Sequence, residues 1–112
     1  MLTHLHIRNY ALISHLDIDF HKGFSVMTGE TGAGKSIILG ALNLVMGARA
    51  DLKAITEGEE RCIIEATFSS PQEIIIRREL TANGRSRSFV NDEVVTQGEL
   101  KALARELIDI HS

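Results

Sequence analysis

Gly29-Glu30-Thr31-Gly32-Ala33-Gly34-Lys35-Ser36 fits G-x-x-x-x-G-K-[ST] at every fixed position. This is the Walker A phosphate-binding loop. Its flanks supply the context that the motif requires. Phe24-Ser25-Val26-Met27-Thr28 ahead of it reads as a short buried strand. Ile37-Ile38-Leu39-Gly40-Ala41-Leu42-Asn43-Leu44-Val45-Met46 behind it reads as a helix, apolar on most of its circumference. Strand, glycine-rich loop, helix is the α/β unit in which such a loop works. The competing reading is a glycine-rich turn that merely caps a helix.

The residue types state the chemistry. Gly29, Gly32 and Gly34 lack a Cβ, so the chain can curl tightly and turn its N–H groups inward. Glu30, Thr31 and Ala33 fill the variable positions, and Ile37 follows the motif. The inward amides and the helix N-terminus behind them make a concave anion site. Lys35 adds a positive charge aimed at the outer phosphates, and the Ser36 hydroxyl can take a place on Mg²⁺. A nucleoside triphosphate with Mg²⁺ is the expected ligand.

Composition narrows the class. At 112 residues, 44% hydrophobic and 24% charged, the chain is one globular domain or a piece of one. A net charge of −3 provides no overall basic field of the kind that attracts nucleic acid. With four Phe, one Tyr and no Trp, a base-stacking platform is not expected. Cys62 is the sole cysteine, which excludes an internal disulfide, agrees with a reducing cytoplasm, and reads as a small core residue. The first residues show no secretory pattern, and no stretch approaches a membrane span. His4 and His6 share one face of a strand, but zinc sites take three or four ligands, so metal is not expected there.

Leu2 to Asn9 reads as a first strand. In His15 to Phe20, Leu16, Ile18 and Phe20 alternate onto one face of a second, half-buried strand. His21-Lys22-Gly23 is a turn. The helix after the loop ends near Gly47, a natural C′ residue. Ala48 to Glu60 is irregular, with a short helix after Asp51. Arg61 to Phe68 is a strand with Cys62, Ile64, Ala66 and Phe68 on one side. Beyond the only proline, Glu73 to Leu80 and Arg85 to Asn91 flank Thr81-Ala82-Asn83-Gly84, a hairpin signal. Thr96-Gln97-Gly98-Glu99 matches a capping box that opens a helix through about Leu107. Ile108-Asp109-Ile110 reads as the start of a further strand.

Arg77, Arg78, Arg85 and Arg87 sit on the hairpin and read as a solvated basic face, with phosphate contact as the alternative. A complete P-loop ATPase also needs a Walker B strand, apolar residues ending in Asp. The nearest match, Leu107-Ile108-Asp109-Ile110, has a short apolar lead and no Glu after the Asp. Asp17 and Asp19 do no better, and no Ser-Gly-Gly signature occurs. The chain holds a nucleotide cradle without most of the machinery of hydrolysis.

Ile7-Arg8-Asn9-Tyr10, Leu16-Asp17-Ile18-Asp19-Phe20 and Gly23-Phe24-Ser25-Val26-Met27-Thr28 ahead of the loop resemble the N-terminal half of SMC-type ATPase heads. Gly47-Ala48-Arg49-Ala50-Asp51, Gly84 to Asn91 and Ile108-Asp109-Ile110-His111 are similar to the DNA-repair branch of that family. The resemblance covers nearly the whole chain. It implies an α/β P-loop NTPase, the N-terminal half of an SMC/ABC-type head with a mixed sheet and an antiparallel β-hairpin. It also implies ATP and Mg²⁺ at Gly29 to Ser36, and Arg8 and Asn9 near the adenine or its phosphates. Arg49 would stand beside the nucleotide, a surface loop arginine being the other reading.

The family continues into a long coiled coil and returns with the signature and Walker B segments, so residues 1–112 are expected to be an N-terminal lobe. Family members carry a longer connection where Ser69-Ser70-Pro71-Gln72 stands, so a segment is expected to be missing there. The resemblance implies an ATPase of double-strand-break repair and recombination, active only as an assembled head. Its partners would be the C-terminal half of its own head, a second head in a homodimer, and DNA through the full-length protein. The setting would be the cytoplasm, at the nucleoid, with no membrane. The alternatives are a stand-alone nucleotide-binding module that never hydrolyses, and another P-loop enzyme such as a small-molecule kinase.

Overall fold

The computed structural model describes residues 2–20, 32–49, 55–69 and 73–111. The elements are β1 (Leu2–Tyr10), β2 (Ile13–Asp19), α1 (Gly32–Val45), β3 (Arg61–Phe68), β4 (Ile74–Thr81), β5 (Ser86–Val90), β6 (Glu93–Val95) and α2 (Gln97–His111). The strands form one sheet in the order β2-β1-β3-β4-β5-β6. Every pairing among the described strands is antiparallel. The strand expected over Phe24–Thr28, the turn before it and the short helix after Asp51 lie outside the described residues.

The pleat sorts the side chains. One face carries Leu5 and Ile7 of β1, Ile18 of β2, Cys62, Ile64, Ala66 and Phe68 of β3, and Ile76 and Leu80 of β4. Helix α1 lays Ile38, Ala41, Leu44 and Val45 on this face, and α2 adds Leu100 and Leu107. The spacing of these helical residues is the three-to-four repeat of an amphipathic stripe. Fully burying each large aliphatic side chain stabilises the fold by about 1.5–3 kcal/mol. Cys62 is among the fully buried core residues. Desolvation pushes its thiol up to about 11.

Two tight turns keep neighbouring strands adjacent in the second half of the sheet. Between β4 and β5, Thr81 N–H donates to Arg85 O at 2.9 Å and Gly84 N–H donates to Thr81 O at 3.0 Å. Gly84 has φ of 97°. The loop is therefore the three-residue form with a left-handed glycine. Between β5 and β6, Asn91 and Asp92 have φ of 50° and 68°, and Val90 pairs with Glu93. This is a two-residue type I′ turn. Strand β6 was not expected from the sequence, because three residues are too few to show a period.

Helix α1 ends as Gly47 suggests. Ala48 N–H donates to Asn43 O at 3.0 Å and Gly47 N–H to Leu44 O at 3.1 Å, with Gly47 at φ 108°. This pair of bonds is the Schellman motif. Helix α2 opens on the expected capping box: Glu99 N–H donates to Thr96 Oγ1 and Thr96 N–H to Glu99 Oε1, both at 3.0 Å.

The far end of α2 corrects the sequence reading. Ile108-Asp109-Ile110 is helical and starts no strand, so Leu107-Ile108-Asp109-Ile110 is not a Walker B strand. Leu100, Ala104 and Leu107 already share a buried stripe. Continuing a docked helix costs less than breaking it, and three alternating residues cannot tell the two periods apart.

Candidate functional site

Gly29, Glu30 and Thr31 lie outside the described residues, as do the side chains of Gly32 to Ser36. The backbone from Gly32 onward forms the first turns of α1. That first turn contains no acidic residue, so the partial positive charge of the helix N-terminus is left for an anion. Ile37 follows, half-buried, before the core stripe begins at Ile38. Tyr10 anchors the same helix to the end of β1. A Cβ on Gly40 would stand 2.5 Å from Tyr10 Oη, so the missing side chain lets the ring approach α1.

Arg8 and Asn9 stand just before Tyr10, the last residue of β1, and the structure brings them to one place. With Gly58, Glu59, Glu60, Arg61 and Ile63 they line an open cavity of about 470 Å³. Asn9 sits in the left-handed region at φ 55°, a conformation that asparagine adopts more readily than most residues. Its carbonyl accepts from Thr56 N–H at 3.0 Å, and its Nδ2–H donates to Arg61 O at 3.1 Å. The loop before β3 is thereby tied to the end of β1, and Arg8 is exposed at the rim. The acidic rim residues Glu59 and Glu60 had no signal in the sequence, since only this tertiary tie places them there.

Arg49 is exposed just past α1 and is not among the residues lining that cavity. The chain just before it is held, at Leu44 O and Ala48 O, by an arginine that reads from sequence as part of a solvated face. Arg78 is buried, 2% exposed. Its Nη1–H groups donate to Leu44 O at 2.6 Å and to Ala48 O, and its Nε–H donates to Ser86 Oγ at 3.3 Å. The guanidinium thus satisfies carbonyls at the C-terminal end of α1, the end that favours a cation. Burial lowers its pKa, yet an arginine stays charged at neutral pH.

Arg77 points to the opposite face. It pairs with Asp92 at 2.9 Å and Glu79 at 3.0 Å and lies 4.3 Å from the centre of the Phe89 ring. The hydrogen bond to Asp92 leads in raising its pKa. Neither Arg77 nor Arg78 belongs to a free basic patch. Arg85 and Arg87 remain exposed.

The family model described as the AAA domain matches residues 4–110. The DNA repair protein RecN of Haemophilus influenzae is 41% identical over 131 aligned positions, covering 99% of this chain and 24% of the relative. That of Bacillus subtilis is 36% identical, covering 99% of this chain and 22% of the relative. The chain thus spans about a quarter of the length of the curated relatives it matches.

Among solved structures, the SMC head domain from Thermotoga maritima superposes with a TM-score of 0.70 at 22% identity, covering 90% of this chain and 41% of its own. A structure from work on ATP-driven dimerization and DNA-stimulated activation of SMC ATPases gives 0.74 at 23% identity, covering 90% and 75%. The recombination mediator RecF in an ATP-bound form gives 0.72 at 19% identity, covering 89% and 30%. At these identities the likeness is one of fold.

Proposed function

The chain belongs to the AAA domain family, has the fold of SMC and RecF heads, and from that premise we propose that it is the ATP-binding part of an SMC-like ATPase of DNA repair. Residues 1–112 would form the N-terminal lobe of a head. ATP with Mg²⁺ would lie on Gly29 to Ser36 and Ile37, with Ser36 on the metal and Lys35 on the outer phosphates. Arg8 and Asn9 would meet the adenine or its phosphates from the end of β1, and Arg49 would approach from the end of α1.

One observation carries the reading. A complete Walker A sequence runs into the N-terminus of the helix on which the sheet packs. The relatives named as DNA repair proteins support a DNA-repair setting, within which double-strand-break repair and recombination would be the finer role. Hydrolysis would belong to two complete heads joined by ATP, each with its own C-terminal half, and DNA would be held by the longer protein in the cytoplasm, at the nucleoid. No helix among the described residues is long and apolar enough to cross a membrane. The 131-position alignment to a 112-residue chain supports a shortened connection, which we place at Ser69–Gln72.

Isothermal calorimetry with ATP, with and without Mg²⁺, tests the site. Lys35→Ala removes charge-assisted hydrogen bonds worth about 1.5–3 kcal/mol each. The expected result is at least about tenfold weaker binding. A mutant that binds ATP as the parent does would overturn the assignment.

A further inference from the structure

The outer face of the β1–β2 hairpin gathers imidazoles that nucleotide binding does not use. The pleat puts His4 and His6 on one side of β1. The register sets Asp17 across from His6 and His15 across from Arg8, so His15 and Asp17 join them on that side. His6 Nδ1 lies 3.7 Å from Asp17 Oδ1. The His6 and His15 rings meet edge to face with centroids 5.1 Å apart. One ligand atom each from His6, His15 and Asp17 falls within 4.8 Å of the other two. His4 Nε2–H donates to Asp17 Oδ1.

We propose that His6, His15 and Asp17 form a binding site for a divalent transition-metal ion of the zinc type, with His4 holding the carboxylate from outside. A tetrahedral ion with bonds of about 2.0–2.1 Å holds its ligand atoms about 3.3 Å apart. The 3.7 Å separation of His6 Nδ1 and Asp17 Oδ1 is a small side-chain adjustment from that. Two imidazoles and one carboxylate leave the fourth position to water, as in open zinc sites.

Imidazole favours Zn²⁺, Cu²⁺ or Ni²⁺ over Mg²⁺, so the site does not compete for the cation expected with ATP. His15 and Asp17 are exposed, so the ion can reach them from solvent. A metal here would bridge β1 and β2.

The test is calorimetric titration of the chelator-stripped chain with ZnCl₂ at neutral pH without nucleotide, repeated on His6→Ala and His15→Ala. The expected result is one ion per chain, with affinity reduced at least tenfold in each variant and by a smaller factor in His4→Ala. Loading with Co²⁺ should give a visible ligand-field band that both variants lose, while circular dichroism stays unchanged. Zinc should raise the thermal midpoint of the parent and not of His6→Ala. The proposal is overturned if no saturable binding appears, if both variants bind as the parent does, or if millimolar Mg²⁺ displaces the ion.

Discussion

Arg78 brings a full charge to a position 2% exposed, and its partners explain why that is tolerated. The last carbonyls of a helix have no partners of their own, and Arg78 supplies donors to Leu44 O and Ala48 O. Removing it leaves buried acceptors unsatisfied, each worth about 1–3 kcal/mol. Arg78→Ala should therefore destabilise the chain by about 3 kcal/mol or more in urea denaturation, and Arg78→Lys should recover only part of the loss, having no planar fork. A destabilisation below about 1 kcal/mol would mean that water takes over those carbonyls. Adjacent Arg77 and Arg78 look alike as letters. Their opposite fates follow from the pleat, which sends successive side chains to opposite faces, and from α1 covering only one of them.

Capping is the point at which local sequence and tertiary contact meet in α2. The reciprocal Thr96–Glu99 bonds were legible in the sequence, and the structure has both. The same helix start also reaches across the molecule: Gln97 Nε2–H donates to Gly47 O at 3.0 Å, and a Cβ on Gly47 would come within 2.8 Å of Lys101 Cγ. Thr96→Ala should cost about 1 kcal/mol. The thermal midpoint should then fall by about 4 °C, and an unchanged midpoint would show that docking of α2 alone sets its start. Boundaries marked by Gly47, the capping box and the alternation of β3 were readable because their chemistry is local. The tail of α2 and strand β6 were not, because packing against the sheet and a two-residue turn decided them.

For the molecule as a whole, the buried face of the sheet couples folding to proton binding through Cys62. Its thiol titrates at about 11 when folded against an ordinary 9.0, because burial disfavours the thiolate. A raised folded pKa means that this contribution is fully present below about pH 9 and is lost as pH climbs toward 11. Global stability should therefore drop by on the order of 2–3 kcal/mol across that window. Cys62→Ala should remove the slope while lowering stability at neutral pH, as followed by denaturation at a series of pH values. A slope unchanged in the variant would assign it to Tyr10, whose hydroxyl is also raised, by burial first and Cys62 second.

The sequence by itself determined the phosphate-loop motif, the helix that follows it and the strand at Arg61–Phe68, because each depends on residues within one turn or one pleat of each other. Only the tertiary structure decided which arginine is buried, which residues face Arg8 and Asn9 across the cavity, and that His6 meets His15 and Asp17. Those contacts join residues far apart along the chain. Strand register and helix docking set them, and no local spacing encodes either.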